Sequence, residues 1–232
     1  MSTSLCDTGT NVLDDPVGHS LQTRHSHLAR RVGAAATYQA GVATFASMPA
    51  TPGAADWDDL ALLLGSGELA DLFSAAVTPP PAWEPVFALA GVQMILDRNP
   101  PLPVTAVQRL GPADVPDMLA LAGLARPGPF WPRTIELGAF HGVRENGALV
   151  AMAGERLQPP GWTEISTVCT APGARGRGLA ARVVQAAVHH VIARGDRPFL
   201  HVADDNDGAV RLYRRLGFTV RRQVRFHGYR VP

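Results

Sequence analysis

The strongest constraint on this chain is the stretch from residue 164 to residue 180, EISTVCTAPGARGRGLA. Its β-branched residues predict a strand, the Pro-Gly pair predicts the end of that strand, and an Arg-x-x-Gly-x-Ala turn then leads into a long amphipathic helix. Backbone N–H groups at the start of a helix have no partner within the helix, and the helix dipole places a partial positive charge there. The stretch therefore predicts an anion site, and a phosphate-bearing cofactor is the first hypothesis.

The glycines and arginines of this turn support the same hypothesis. Gly176 and Gly178 lack the Cβ atom that would hold a diphosphate away from the backbone. Arg175 and Arg177 add positive charge at the same place. A glycine-rich turn between a strand and a helix is also common as a plain connection. On this stretch alone, both interpretations stay open.

Length and composition bound the possible classes of protein. The 232 residues are enough for one large domain or two of modest size. The sequence begins MSTSLCDT, without the basic and apolar segments that direct secretion, and it contains no apolar run long enough to span a bilayer. These features predict a cytoplasmic protein without a membrane partner.

The cysteines and histidines predict neither disulfides nor a metal site. Cys6 and Cys169 are the only two cysteines, and they provide no disulfide framework. The eight histidines have no cluster of cysteine or carboxylate residues at ligand spacing. We therefore expect reduced thiols and no bound metal.

The charges are unevenly distributed along the chain. The sequence contains no lysine, which excludes a Schiff-base lysine and the lysine of a nucleotide-binding P-loop. From residue 171 to the end there are twelve arginines and four acidic residues, against nine and sixteen before it. A basic C-terminal part fits a polyanionic cofactor, and the lack of aromatic residues among the arginines argues against nucleic acid.

Closely spaced prolines at residues 99–103 predict a domain boundary. We place an N-terminal domain at residues 1–102 and a second domain at residues 103–232. In the first part, the spacing of apolar residues predicts a helix over 20–32. In the second part, Asn146-Gly147 predicts a tight hairpin turn, because both residues tolerate positive φ angles.

The rest of the second part alternates between strands and helices. The helix after the glycine-rich turn has an apolar face at helical spacing and ends near Gly195. A short strand follows, and Asn206 is among the N-cap candidates of a helix that ends near Gly217. Two further strands are predicted at 218–220 and 223–229. This pattern predicts an α/β layered fold.

Several motifs in this order and spacing resemble the signature of the GNAT superfamily of acyl-CoA-dependent N-acyltransferases. The resemblance covers roughly residues 104 to 232. It implies an α+β fold with a mixed, mainly antiparallel sheet flanked by helices. The residues before it resemble the degenerate GNAT-like half of two-part members, which implies a smaller α/β N-terminal domain. The motifs are Thr170-Ala171-Pro172, Arg175-Gly176-Arg177-Gly178-Leu179-Ala180, Asn206, Ala209 and Leu212-Tyr213-Arg214-Arg215-Leu216-Gly217-Phe218.

The resemblance implies acetyl-CoA as the acyl-donor co-substrate, with no metal. The backbone amides of the turn would bind the diphosphate of coenzyme A, a strand edge would pair with the pantetheine arm, and Asn206 would hydrogen-bond the cofactor or simply cap its helix. Ala180 replaces the third glycine of the motif, a small residue that the family tolerates. The implied cofactor-binding residues are Val168, Cys169, Thr170, Arg175, Gly176, Arg177, Gly178, Leu179, Ala180 and Asn206.

The resemblance also implies two catalytic residues, each with a structural alternative. Tyr213 stands at the general-acid position, where a phenol of ordinary pKa would protonate the departing thiolate, or it packs in the core beside Phe218. Glu164 stands at a position where some members have their catalytic base, or it is a strand-end carboxylate that faces solvent or Arg156. His201 would line the pocket or pack. Cys169 allows an acyl-cysteine intermediate, but the lack of an adjacent base favours direct attack by the amine.

The predicted function is therefore transfer of an acetyl group from acetyl-CoA to a primary amine within a ternary complex. The acceptor would be a small-molecule or peptide amine, which the sequence does not identify. Two alternatives stay open. One is the transfer of other acyl groups to amino acids such as glycine, and the other is a non-catalytic acyl-CoA-binding module.

Overall fold

The computed structural model describes residues 12–73, 77–97 and 106–232. These residues form α-helices and an eleven-stranded sheet. The helices are α1 (Pro16–Gln22), α2 (Ala54–Leu64), α3 (Val115–Ala125), α4 (Leu179–Ala193) and α5 (Asp207–Arg215). The strands of the first part are β1 (Ala29–Val32), β2 (Ala35–Tyr38), β3 (Phe45–Ser47), β4 (Leu69–Phe73) and β5 (Glu84–Leu96).

The second part contributes six strands to the same sheet. They are β6 (Gln108–Leu110), β7 (Phe140–Glu145), β8 (Ala148–Glu155), β9 (Trp162–Thr170), β10 (Arg197–Ala203) and β11 (Phe218–Arg230). The strand order is β1-β2-β3-β4-β11-β5-β10-β9-β8-β7-β6. Of the pairs between these described strands, β3 with β4 and β9 with β10 are parallel and the others antiparallel. The predicted mixed, mainly antiparallel sheet is confirmed.

One strand of the first part lies inside the sheet of the second. β5 runs antiparallel to both β10 and β11 and separates them, with Gln93 opposite His201 on one side. The boundary predicted between residues 102 and 103 lies outside the described residues, so the division into two domains stays a prediction. The two parts nevertheless share one hydrogen-bonded layer.

Apolar side chains cover both faces of this layer. On one face, α4 buries its apolar residues against the sheet, and Leu200 of β10 belongs to the same cluster. On the other face, α1 and Leu13, three residues before its first residue, pack with Phe199 of β10. Neighbouring residues of β10 point to opposite faces because side chains alternate along a strand. The predicted core face of α4 is confirmed: Leu179, Val183, Val184, Ala187, Val188 and Val191 are all buried.

Three local predictions have different outcomes. The hairpin at Asn146-Gly147 is confirmed, with φ angles of 50° and 83° at these residues. The helix predicted over 20–32 is wrong beyond Gln22, because Ala29–Val32 pairs with Ala35–Tyr38 in a hairpin whose turn holds Gly33 at φ 50°. The two strands predicted at the C-terminus are one strand, β11, with a register shift between Val220 and Arg222.

Candidate functional site

The parallel strands β9 and β10 are paired with each other over only a few residues and then separate. β9 pairs with β10 only through Trp162–Glu164 and Arg197–Phe199. Among the strand pairings of the described chain, residues 165–170 of β9 have a partner on the β8 side alone. Backbone N–H and C=O groups on the other edge are therefore open to an extended ligand that carries amides.

A β-bulge lies within this open segment. Ser166 is opposite Gly154 and Cys169 is opposite Met152, so β9 has one residue more than β8 between these pairs. Thr167 takes up the extra length with a φ of 54°. Bulges break the regular pairing and redirect backbone and side chains. This bulge occurs in the strand that the sequence assigned to the pantetheine arm.

The glycine-rich turn leads directly into α4. Gly176 and Gly178 have φ angles of 77° and 75°, a region that residues with a side chain rarely adopt, and Gly178 is the N-cap of α4. A cavity of about 530 Å³ lies against this turn. It is lined by residues of β9, the turn, the start of α4 and α5, including Thr170, Arg175, Gly176, Gly178, Leu179, Ala180 and Arg215.

Two features of this cavity suit an anionic ligand with further polar groups. The Oγ1 atom of Thr170 is buried and has no hydrogen-bond partner in the described part of the chain, so a polar ligand atom would satisfy it. Arg175 is exposed at the cavity. Arg177 is also exposed but forms two hydrogen bonds with Glu145, at 2.8 and 2.7 Å. The residues present therefore fit the diphosphate and pantetheine of coenzyme A.

Asn206 has the structural role that the sequence left open. It is the N-cap of α5, and its side-chain oxygen accepts a hydrogen bond from the backbone N–H of Ala209 at 3.1 Å. The residue is exposed. Its contact with a cofactor stays a prediction.

Tyr213 lies on α5 and is buried in the main core. Its ring contacts Phe218 edge-on, with 6.1 Å between the ring centroids. Burial raises the pKa of Tyr213 to about 12. The expectation of an ordinary pKa is therefore corrected: the phenol is protonated at neutral pH and is a weaker acid than in water. Its role as the general acid stays a prediction.

Glu164 is completely buried and paired with Arg156. The Nε and Nη2 atoms of Arg156 lie 2.8 and 2.5 Å from the two carboxylate oxygens, and His201 Nδ1 lies 2.7 Å from Oε1. Burial raises the pKa of Glu164, but the charge and hydrogen bonds of Arg156, together with His201, outweigh this effect and lower it to about 2. Such a carboxylate stays ionised and accepts a proton only weakly. Its assignment as the base stays a prediction.

The sequence analysis did not identify Gln93, or the aromatic neighbours of Arg156, as parts of this polar group. Arg156 stacks on Phe73 and Phe45, with its guanidinium carbon 4.9 and 5.1 Å from the ring centroids. Gln93 of β5 contacts His201 from the other side at 3.0 Å. These contacts join residues that are far apart in the sequence, so no local motif could have indicated them.

Cys169 does not have the environment of a nucleophile. Its side chain belongs to an apolar cluster with Phe140 and Met152. Burial raises the pKa of the thiol to about 12, so the thiolate is scarce at neutral pH. This supports the preference for direct attack over an acyl-cysteine intermediate. The predicted contact of Cys169 with the cofactor would involve its backbone.

Neither a metal-binding group nor a membrane span occurs in the described ranges. In residues 12–73, 77–97 and 106–232, no three histidine, cysteine or acidic residues are grouped to hold a metal ion. The helices within these ranges are too short or too polar to cross a membrane.

Comparisons with known proteins place the chain in a family. A family model described as FR47-like protein matches residues 137–227. A solved GNAT-family protein from Novosphingobium aromaticivorans DSM 12444 is 37% identical, with a TM-score of 0.89, over 96% of this chain and 100% of that chain. The chain belongs to the GNAT family. A GCN5-related N-acetyltransferase from Kribbella flavida shares the GNAT fold at 19% identity, with a TM-score of 0.62, over 93% of this chain and 94% of that chain.

Curated relatives match shorter segments of this GNAT chain. It is 40% identical to N-alpha-acetyltransferase RimI of Mycobacterium tuberculosis over 95 residues. These residues are 40% of this chain and 58% of the relative. It is 34% identical to a mycothiol acetyltransferase of Mycobacteroides abscessus over 89 residues. These residues are 38% of this chain and 27% of the relative. The chain thus spans less than two thirds of either protein. The membership predicted from the motifs is confirmed.

Proposed function

We propose that this chain is an N-acetyltransferase that transfers the acetyl group of acetyl-CoA to a primary amine by direct attack within a ternary complex. The observation that carries the proposal is the continuity of the open edge of β9 with the anion-binding turn at the start of α4. The unpartnered Thr170 hydroxyl lies at the cavity between them. The acetyltransferase names of the curated relatives support the same activity.

The proposed binding mode uses both features. The diphosphate of coenzyme A would bind the backbone amides of Arg175–Ala180, and the pantetheine arm would lie along Val168–Thr170 as an additional strand. This direction places the thioester between β9 and β10, where the two strands separate. Glu164 is the last residue of β9 that pairs with β10, and α5, which carries Tyr213, lines the same cavity as Thr170.

In the proposed reaction, the lone pair of a neutral amine attacks the thioester carbonyl carbon, and the C=O π electrons move to oxygen. Collapse of this intermediate re-forms the C=O bond, breaks the C–S bond and leaves the electron pair on sulfur. The nitrogen loses one proton to water, and the sulfur gains one. Tyr213 donates its phenolic hydrogen to the sulfur and recovers a proton from solvent, because a phenol with a pKa of about 12 is fully protonated at neutral pH.

We propose that Glu164 contributes a fixed negative charge rather than taking up the amine proton. Its carboxylate already receives three hydrogen bonds, two from Arg156 and one from His201. A group with a pKa of about 2 is a weak base toward an ammonium ion. Its charge can still stabilise the positive nitrogen that forms during attack. The acid limb of the pH–rate profile should then follow the pKa of the acceptor amine.

Release of the CoA thiol from acetyl-CoA in the presence of a panel of amines tests this proposal. The panel should include a peptide with a free α-amino group, small-molecule primary amines and free amino acids. We expect thiol release that depends on one class of amine. Tight CoA binding without release by any amine would contradict the proposal and favour a binding module. Release from longer acyl-CoAs alone, with glycine as the acceptor, would favour the other acyl transfer.

A further inference from the structure

His201 occupies a buried polar position at the centre of the sheet. Its side chain is 2% exposed and is surrounded by the rings of Phe73, Phe199 and Phe226, with centroid distances of 4.7, 5.6 and 6.0 Å. Both ring nitrogens have a polar partner. Nδ1 lies 2.7 Å from Glu164 Oε1, and Nε2 lies 3.0 Å from Gln93 Nε2.

The orientation of the Gln93 amide follows from two other partners. Its nitrogen lies 2.8 Å from the backbone oxygen of Leu13, which can only accept a hydrogen bond. Its oxygen lies 2.6 Å from Nη1 of Arg221, which can only donate one. Reversing the amide would break both bonds. The group facing His201 Nε2 is therefore an N–H donor.

The tautomer of His201 follows from this orientation. Because Nε2 accepts a hydrogen bond from Gln93, it carries no proton, and a neutral imidazole must then carry its proton on Nδ1. That proton points at Glu164 Oε1. A second proton on the ring would have to displace the Gln93 donor, which is held by Leu13 and Arg221.

We propose that Gln93 is a positioning residue that holds His201 as the neutral Nδ1–H tautomer, so that His201 always donates to Glu164 and never exchanges protons with the site. This assigns a role in the active site to the first part of the chain, because β5 supplies Gln93 and the segment before α1 supplies Leu13. Asp14 extends the arrangement by accepting a hydrogen bond from Arg221 at 2.7 Å.

The charged groups around His201 are consistent with a neutral ring. Burial lowers the pKa of His201, as do the charges of Arg156 and Arg221, while Glu164 raises it, and the net direction is down. Asp14 pairs with Arg221, and the charge of Asp71 acts on Arg156 rather than on the ring. No carboxylate other than Glu164 acts directly on this imidazole among the described residues.

Nitrogen NMR of the histidine side chains tests this inference on the unmodified protein. His201 is assigned as the signal that disappears in a His201→Gln variant. We expect a protonated Nδ1, an unprotonated Nε2 and no change in either between about pH 5 and pH 8. A protonated Nε2, or titration of the ring within that range, would overturn the inference.

A Gln93→Glu variant adds a second readout. A carboxylate at this position accepts rather than donates, so His201 Nε2 would need a proton, and the ring would lie between two carboxylates. We expect both nitrogens to be protonated at neutral pH and a new ionisation to appear in the pH–rate profile. Gln223→Glu is the matched control, because Gln223 is exposed on the neighbouring strand β11. A His201 spectrum unchanged by Gln93→Glu would contradict the inference.

The kinetic part of this experiment depends on the proposed acetyltransferase activity, whereas the spectra do not. If no amine supports turnover but His201 has the expected tautomer, the proposed function fails and the assignment of Gln93 stands. If turnover occurs and the tautomer is reversed, the proposed function stands and the assignment of Gln93 fails. Should Gln93→Glu fail to fold, the spectra of the unmodified protein still decide.

Discussion

Two buried histidines, His25 and His201, have hydrogen-bond partners that determine which ring nitrogen carries the proton. His25 Nε2 lies 3.1 Å from the backbone oxygen of Leu137, which only accepts, so Nε2 is protonated. Its Nδ1 then accepts from the hydroxyl of Tyr38 at 2.9 Å. In the neutral form, which burial favours, each of these two imidazoles therefore has one tautomer that fits its partners.

The neutral form of His25 makes stability depend on pH. Burial lowers the pKa of His25 from 6.5 to about 4. The unfolded chain therefore binds a proton that the folded chain does not as the pH falls below 6.5, and the loss is complete near pH 4. Each unit of pKa is worth about 1.4 kcal/mol, so we expect His25 alone to lower the free energy of unfolding by about 3 kcal/mol over this range.

Urea denaturation at several pH values between these limits checks this prediction. A His25→Gln variant should show a smaller loss of stability on acidification. Part of the loss should remain, because burial also lowers the pKa of His141 to about 4. His27→Gln is the control, because His27 is exposed two residues away. Equal pH dependence in the two variants would contradict the role of His25.

Tyr213→Phe tests the proposed acid. The substitution removes the phenolic hydrogen while keeping the ring against Phe218. General acids typically contribute a factor of about 10² or more, so we expect kcat to fall by about that factor. Calorimetric titration should show nearly unchanged acetyl-CoA affinity. An unchanged kcat would remove Tyr213 from the mechanism.

Glu164→Gln separates a fixed charge from a base. If Glu164 supplies only charge, the variant should be slower at every pH, and the acid limb of the profile should keep its position. A limb that moves or disappears would identify Glu164 as the base. Arg156 loses its charged partner in this variant, so thermal unfolding should be measured alongside.

For individual residues, the sequence indicated the helix or strand that carries each one better than it indicated the surroundings of the side chain. It assigned Glu164 and Thr170 to one strand and Tyr213 to a helix, as the structure has them, and it named Arg156 as one possible neighbour of Glu164. It could not indicate the completely buried state of Glu164 or the raised pKa of Tyr213. Both depend on residues that are remote in the chain: Tyr213 shares its apolar cluster with Met94 and Leu200, for example.

Among the elements, the turn between β9 and α4 depends most on individual backbone angles. Gly178 has a φ of 75° at the N-cap of α4, and a Cβ atom there would meet no neighbour within 4 Å. The glycine is therefore needed for its conformation and not for space. Its replacement should distort the N–H groups that the proposed function assigns to the diphosphate.

We expect Gly178→Ala to cost about 1–2 kcal/mol in backbone strain and to raise the KM for acetyl-CoA more than it lowers kcat. Steady-state kinetics and thermal unfolding measure the two effects. Gly173→Ala is the matched control in the same connection, because a Cβ there also meets no neighbour and the residue has no positive φ. Equal effects of the two substitutions would show that the φ of Gly178 is not what matters.

Elements with a strong local signal were predicted correctly, whereas two features that depend on strand pairing were not. The Asn146-Gly147 hairpin and the apolar face of α4 depend on neighbouring residues and are confirmed. The segment 29–32 has apolar residues at helical spacing but forms a strand, because β2 offers its backbone a hydrogen-bonding partner. The register shift near Arg221 likewise arises from the pairing of β11 with β5.

For the whole molecule, the position of β5 determines whether the two parts can be separated. A 103–232 fragment would lack the strand between β10 and β11, leaving unpaired edges on both. We expect this fragment to be insoluble when expressed alone and to be rescued by co-expression with residues 1–102, because unpaired strands associate with other chains. Soluble yield and CoA binding are the measurements. A soluble fragment that binds CoA would instead support the predicted domain boundary.

The same strand order has a consequence for the time course of synthesis on the ribosome. β5 is complete at residue 96, but its two neighbours follow only at residues 197–203 and 218–230. While the residues between β5 and these neighbours are synthesised, β5 has no native partner on either side. Pairing across such sequence distances is slow. The nascent chain is therefore exposed to aggregation until β11 has emerged.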